Sequence, residues 1–209
     1  PAALCALGAL FGVVCGCFGY RCFRAVMFLS GLLLGSAVIF LLCHGQRVLE
    51  APLGTELSAG IALGIGLLCG LLTLLLRSLG LFSTGLLLGL LLGTLALGTA
   101  TPQPPPSPWV PAGTVLGLAL LCALLALRWP KALTVLATAA LGAAAAVTGA
   151  DFFVEGLALP RYVWARARLE PVAPLCWHGW AMLAAWALLG GIGGIIQWKV
   201  TGTGVRHGE

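Results

Sequence analysis

The sequence predicts an all-α membrane protein of seven transmembrane helices, built from three parallel two-helix hairpin repeats and a seventh helix. Three observations carry this prediction: an apolar composition, uncharged runs long enough to cross a bilayer, and an internal repeat. Of 209 residues, 60% are hydrophobic and 8% charged, against about 25% charged in a soluble domain. With a mean hydropathy of +1.08, the chain is too apolar for disorder or collagen. A net charge of +5 is too small for a nucleic-acid partner, which requires a dense basic surface.

A bilayer core about 30 Å thick needs about 20 apolar helical residues. Runs of that kind fall at about 2–19, 25–43, 57–76, 79–98, 110–127, 132–150 and 176–198. The chain opens on Pro1 with no basic stretch before the first run, so that run is read as a membrane helix of a longer protein rather than a signal peptide. The fourth and fifth runs share an uncharged stretch, but Pro102, Pro104, Pro105, Pro106, Pro108 and Pro111 divide it, because helix interiors do not tolerate such a cluster. Residues 1–200 therefore form one seven-span domain, and 201–209 begin a truncated cytosolic tail.

Basic residues set the expected orientation. Arg21, Arg24, Arg77, Arg128, Lys131, Lys199 and Arg206 lie at one end, against Arg47, Arg161, Arg166 and Arg168 at the other. Short loops rich in Lys and Arg face the cytoplasm, which puts the N-terminus outside and the C-terminus inside. The turn of Tyr20, Arg21, Phe23 and Arg24 and the turn of Arg128 to Lys131 read as topology anchors, or as a docking surface for anionic lipid or a cytosolic partner.

The repeat is visible when the chain is compared with itself. FLSGLLLG from Phe28 recurs as FSTGLLLG from Phe82, an offset of 54 that also places Cys15 on Cys69; an offset of 107 places Cys15 on Cys122, Arg21 on Arg128 and Gly35 on Gly142. Three hairpins result, at about 2–43, 57–98 and 110–150. Each holds two spans, so all three share one orientation. Glycines recur every fourth residue at Gly8, Gly12 and Gly16, at Gly31 and Gly35, at Gly60 and Gly64, at Gly66 and Gly70, at Gly85, Gly89 and Gly93, and at Gly190 and Gly194. Such stripes let helix backbones approach closely, and a compact bundle is expected, with a glycine-lined pore the lesser alternative. The stripe of Gly85, Gly89 and Gly93 on the fourth span is the expected surface of a homodimer.

Candidate chemistry is sparse. No phosphate loop or helical metal-binding histidine pair occurs, so the chain reads as a non-enzyme without a cofactor. Asp151 and Glu155 share a helix face at the outer end of the sixth span; either they are solvated or paired with Arg161, Arg166 or Arg168, or they form a cation or proton site. Tyr162 and Trp164 suit an interfacial helix. Cys43 and Cys176 fall at the outer ends of the second and seventh spans, where a disulfide would persist, and with His44 and His178 they could alternatively hold zinc or remain free. A bridge would require the seventh span to fill the gap between the last hairpin and the first. Cys17 and Cys22 are candidates for palmitoylation.

GYRCFRAVMFLSGLLLGSAVIFLLC from Gly19, SAGIALGIGLLCGL from Ser58, GLFSTGLLLGLLLG from Gly80, LRWP from Leu127 and PLCW from Pro174 resemble the transmembrane protein 198 family, including its close paralogue. The resemblance covers nearly the whole chain. It implies a seven-span protein of the plasma membrane and vesicles with a long cytosolic tail, active in Wnt signalling. There it aids co-receptor clustering and phosphorylation by a recruited casein kinase. The resemblance brings no catalytic residue.

Overall fold

A computed structural model of the chain describes residues 2–18, 23–45, 55–100, 109–156, 158–167 and 176–201. All regular structure among them is helical: α1 (Ala2–Phe18), α2 (Phe23–Gly45), α3 (Thr55–Leu75), α4 (Arg77–Ala100), α5 (Trp109–Arg128), α6 (Pro130–Glu155), α7 (Ala158–Ala167) and α8 (Trp177–Ile196), which continues into a π-helical turn at Gln197–Thr201. Among the described residues, four segments are long and apolar enough to cross a membrane: Arg77–Thr99, Trp109–Arg128, Pro130–Val154 and Trp177–Lys199; the described apolar stretches of the first three helices are Ala2–Phe18, Phe23–Ile39 and Ala59–Leu75.

Helix boundaries follow local chemistry. Pro130 opens α6, where its missing N–H is harmless, and its ring pushes Trp129 out of the helical region to φ −125° and ψ 72°. The α5–α6 corner is therefore one residue wide. At the other end of α6, Gly156 adopts φ 65° and its N–H donates to the Phe152 carbonyl. Such a left-handed cap costs a glycine little and turns the chain toward α7.

Packing between hairpins dominates packing within them. The second helix of each hairpin lies against the first helix of the next, as α2 on α3 and α4 on α5, and α6 completes the series on α1. The contacts recur at equivalent positions, since offsets of 54 and 107 carry Gly35 to Gly89 and Gly142, and Gly12 to Gly66 and Ala119. Gly35 meets Gly66, Gly89 meets Ala119, and Gly142 meets Gly12. A Cβ on Gly142 would lie 2.5 Å from the Gly12 carbonyl oxygen and 2.6 Å from the Gly16 nitrogen, so each backbone occupies the space a side chain would need. Helices that meet through such small residues gain dispersion contacts this way, the main attraction available to apolar helices in lipid.

Two expectations about assembly are corrected. α6 packs directly on α1, and α8 rests on both of them, so the seventh span does not fill a gap between the last hairpin and the first. Small residues on α1 and α6 close that gap without help. The stripe expected to pair two copies of the chain is spent internally: Gly85 lies on Cys122 and Ala123, Gly89 on Ala119 and Gly93 on Val115, all of α5. Glycine stripes are also not uniform in use. Gly31 meets Thr73 and Gly70 meets Phe28, whereas Gly8, Gly60 and Gly64 have nothing within 4 Å of the place a Cβ would take.

Candidate functional site

Buried polar groups and the two ends of the bundle hold the chemistry of this chain. Near the basic ends of α2 and α4, Ser30, Thr73, Ser83 and Thr84 are buried. Ser30 and Ser83 share a hydrogen bond of 3.1 Å, and Thr84 donates to Ser30 at 3.3 Å. Thr73 reaches from α3 to the Met27 carbonyl of α2 at 3.0 Å. Most of these hydroxyls also donate to carbonyls of their own helix, as Ser30 does to Met27 and Thr84 to Gly80. The helices thus meet through satisfied polar groups in an apolar setting, where an unsatisfied one is costly.

A second polar joint links α1, α6 and α8. Gln197 is fully buried in the π-helical turn. Its Nε2 donates to the carbonyls of Gly16 and, at 3.3 Å, Cys15, while its Oε1 accepts from Thr138 at 2.9 Å. Gly193 one turn earlier lies against the Gly16 carbonyl, and Trp186 donates to the Ala140 carbonyl at 3.0 Å. Sequence reasoning overlooked Gln197. A lone amide after an apolar run of glycines and isoleucines was the available signal, since such a side chain must find partners if it stays at membrane depth.

At the opposite end, Asp151 is 1% exposed. It is neither solvated nor paired with an arginine among the described residues; instead its Oδ2 accepts the Leu159 N–H at 3.0 Å. The carboxylate thereby caps the start of α7, because the first N–H groups of a helix lack partners within it and favour negative charge. Tyr162 donates to the Gly98 carbonyl at 3.3 Å and Arg161 to the Gly156 carbonyl at 2.6 Å. α7 is thus tied across the ends of α4 and α6 that lie opposite the basic end. The Glu155 side chain, Arg168 and the Arg166 side chain lie outside the described residues.

The cysteines give no bridge among the described residues. Cys176 is exposed at the start of α8 and is in no disulfide, and neither are Cys5, Cys15, Cys17, Cys69 and Cys122. The side chains of Cys43 and His44 and the whole of Cys22 lie outside the described residues. The neighbours of α8 are α6 and α1, whereas α2 packs on α3 and α4, an arrangement that gives no support to a Cys43–Cys176 link. His178 stacks on Trp177 with ring centroids 3.7 Å apart.

The basic end is exposed. Arg24, Arg77, Arg128, Lys131 and Lys199 all reach the surface, while Arg21 lies outside the described residues. Arg77 sits 5.8 Å from the Phe23 ring centroid and Lys131 5.6 Å from that of Trp198, within cation–π reach. Exposed tryptophans mark both ends. Trp109 and Trp129 are 20 residues apart and Trp177 and Trp198 are 21, each about 30 Å at 1.5 Å per helical residue. That spacing equals the thickness of a hydrocarbon core.

Comparison with known proteins places the chain among membrane proteins. Residues 5–198 match the family described as TM7S3/TM198-like domain. The chain is 60% identical over 210 residues to transmembrane protein 198 of Homo sapiens, covering 100% of this chain and 58% of that protein. It is 53% identical to the Xenopus tropicalis protein of that name, covering 99% and 61%, and 49% identical to the Danio rerio one, covering 99% and 57%. The chain therefore spans less than two thirds of the length of these curated relatives. No solved structure matches it.

Proposed function

Because the chain belongs to the TM7S3/TM198-like domain family, a family of membrane proteins, we propose that it is a non-enzymatic multi-pass scaffold whose partners are other membrane proteins. The carrying observation is that Gln197, Ser30, Thr73, Ser83 and Thr84, buried polar residues at depth, hold the chain's own helices together, as Gln197 does with Gly16 and Thr138, while the buried Ser36 hydroxyl alone among the described residues has no partner. The outer faces instead offer exposed leucines and tryptophans to the surroundings. Seven spans with the N-terminus outside, at the plasma membrane and in vesicles, complete the proposal. The repeated small-residue contacts and the 30 Å tryptophan spacing support the span count, and the clustering of basic residues supports the orientation.

In its finer form, the scaffold brings a Wnt co-receptor into clusters and favours its phosphorylation by a recruited casein kinase. Co-purification of the full-length protein with the co-receptor from intact membranes, together with increased co-receptor phosphorylation, is the expected result. Neither association nor a change in phosphorylation would remove this reading. The competing cation pathway through Asp151 and Glu155 has less support, since Asp151 is engaged by the α7 backbone. Cation flux through the purified protein in liposomes, abolished by Asp151→Asn, would replace the scaffold with that pathway.

A further inference from the structure

We propose that the corner between α5 and α6, together with the π-helical turn after α8, forms a binding site for the headgroup of an anionic phospholipid. Two segments distant in sequence meet here. Lys131, at the start of α6, lies over the Trp198 ring of the π-helical turn. Arg128 and Trp129 precede Lys131 in the same corner, and Lys199 follows Trp198; all five side chains are exposed. The site is held in place from beneath by the Gln197 bonds to α1 and α6, so Trp198 and Lys199 sit on a fixed joint.

Charge and depth select the occupant. The described residues 109–150 and 177–201 bring Arg128, Lys131 and Lys199 to this corner and contain no Asp or Glu, so the charge these two stretches carry is positive. Trp129 and Trp198 sit at the level where indole rings favour the bilayer interface, and the basic side chains extend past them toward the headgroups. Below Trp198, the exposed Leu188, Ile192 and Ile195 follow a helical spacing that gives one apolar track along α8. A phosphate, or the carboxylate of phosphatidylserine, meets the cations while the acyl chain lies along that track. An acidic peptide would satisfy only the charged half of the surface.

Native mass spectrometry of the full-length protein in neutral detergent, with phosphatidylserine and phosphatidylcholine supplied equally, tests the site. The protein should retain phosphatidylserine about tenfold better than phosphatidylcholine at physiological salt, and the Lys131→Gln, Lys199→Gln double variant should lose that preference. An Arg24→Gln, Arg77→Gln double variant, which removes the same charge from another part of the basic end, should keep it. Equal retention of the two lipids by the unaltered protein overturns the proposal, as does an equal loss in both double variants, which is the signature of a diffuse field. If the lysine variant fails to fold, a photoactivatable phosphatidylserine is added to the unaltered protein. Adducts on residues 128–131 and 198–199 support the site, and adducts confined elsewhere overturn it.

Discussion

Among single residues, glycines on different helices differ sharply in what surrounds them. Gly142 has the Gly12 carbonyl and the Gly16 backbone where a side chain would go, whereas Gly117 has nothing within 4 Å. Gly142→Ala must push α1 and α6 apart and should cost about 1–3 kcal/mol, the usual penalty of overpacking. Gly117→Ala adds a methyl to open space and removes a poor helix former, so stability should stay level or rise by up to about 1 kcal/mol. Unfolding in a graded denaturing detergent, followed by helicity, compares the two; equal losses would mean that the α1–α6 contact is not as close as described. The four-residue spacing of Gly12 and Gly16 and the offset that relates Gly35 to Gly142 were legible in the sequence. Which of them face another helix was not, because a glycine carries no side chain that could distinguish the two settings.

Elements in this chain are joined by few polar bonds, each at a defined place. α8 buries little besides Gly193 and Gln197, so its position rests heavily on the Gln197 amide and the Thr138 hydroxyl. Gln197→Leu and Thr138→Val should each destabilise the fold, and the double variant should fall short of the sum. The coupling should be about 0.6 kcal/mol and no more than about 1.7, as for other hydrogen bonds between membrane helices. Full additivity in a double-mutant cycle would show that the two groups do not interact. α7 follows the same logic, since the carboxylate of Asp151 supplies the acceptor that the start of a short helix needs. The sequence marked Tyr162 and Trp164 as suited to an interfacial helix and Asp151 as an unusual carboxylate, but the bond between α6 and α7 depends on the turn at Gly156, which local spacing does not encode.

For the whole molecule, orientation governs where each surface acts. In the proposed orientation, which rests on seven basic residues against four, the α5–α6 corner and the π-helical turn lie in the cytoplasm and α7 lies outside. A glycosylation acceptor engineered near Gln103 should be modified in cells, and one placed after Gly202 should not; the reverse pattern would turn the molecule over and move the basic end to the other leaflet. The phospholipid site survives either outcome as a chemical preference, but its natural ligand would then have to lie in the outer leaflet.

Composition and periodicity alone determined the solvent and the style of packing. A chain this apolar must bury its backbone bonds in helices, and glycines at four-residue intervals give those helices faces with no side chain to keep neighbours away. The equivalence of Gly35, Gly89 and Gly142 was also readable, because a repeat preserves the spacing of the residues that its contacts require. Tertiary structure alone decided the pairing. The second helix of each hairpin chose the next hairpin over its own partner, and α6 chose α1, since a smooth small-residue face fits any similar face and carries no code for one. The same reason explains Gln197 and Asp151: the fate of a polar side chain at depth depends on what packs over it, and those neighbours come from segments far away in the sequence.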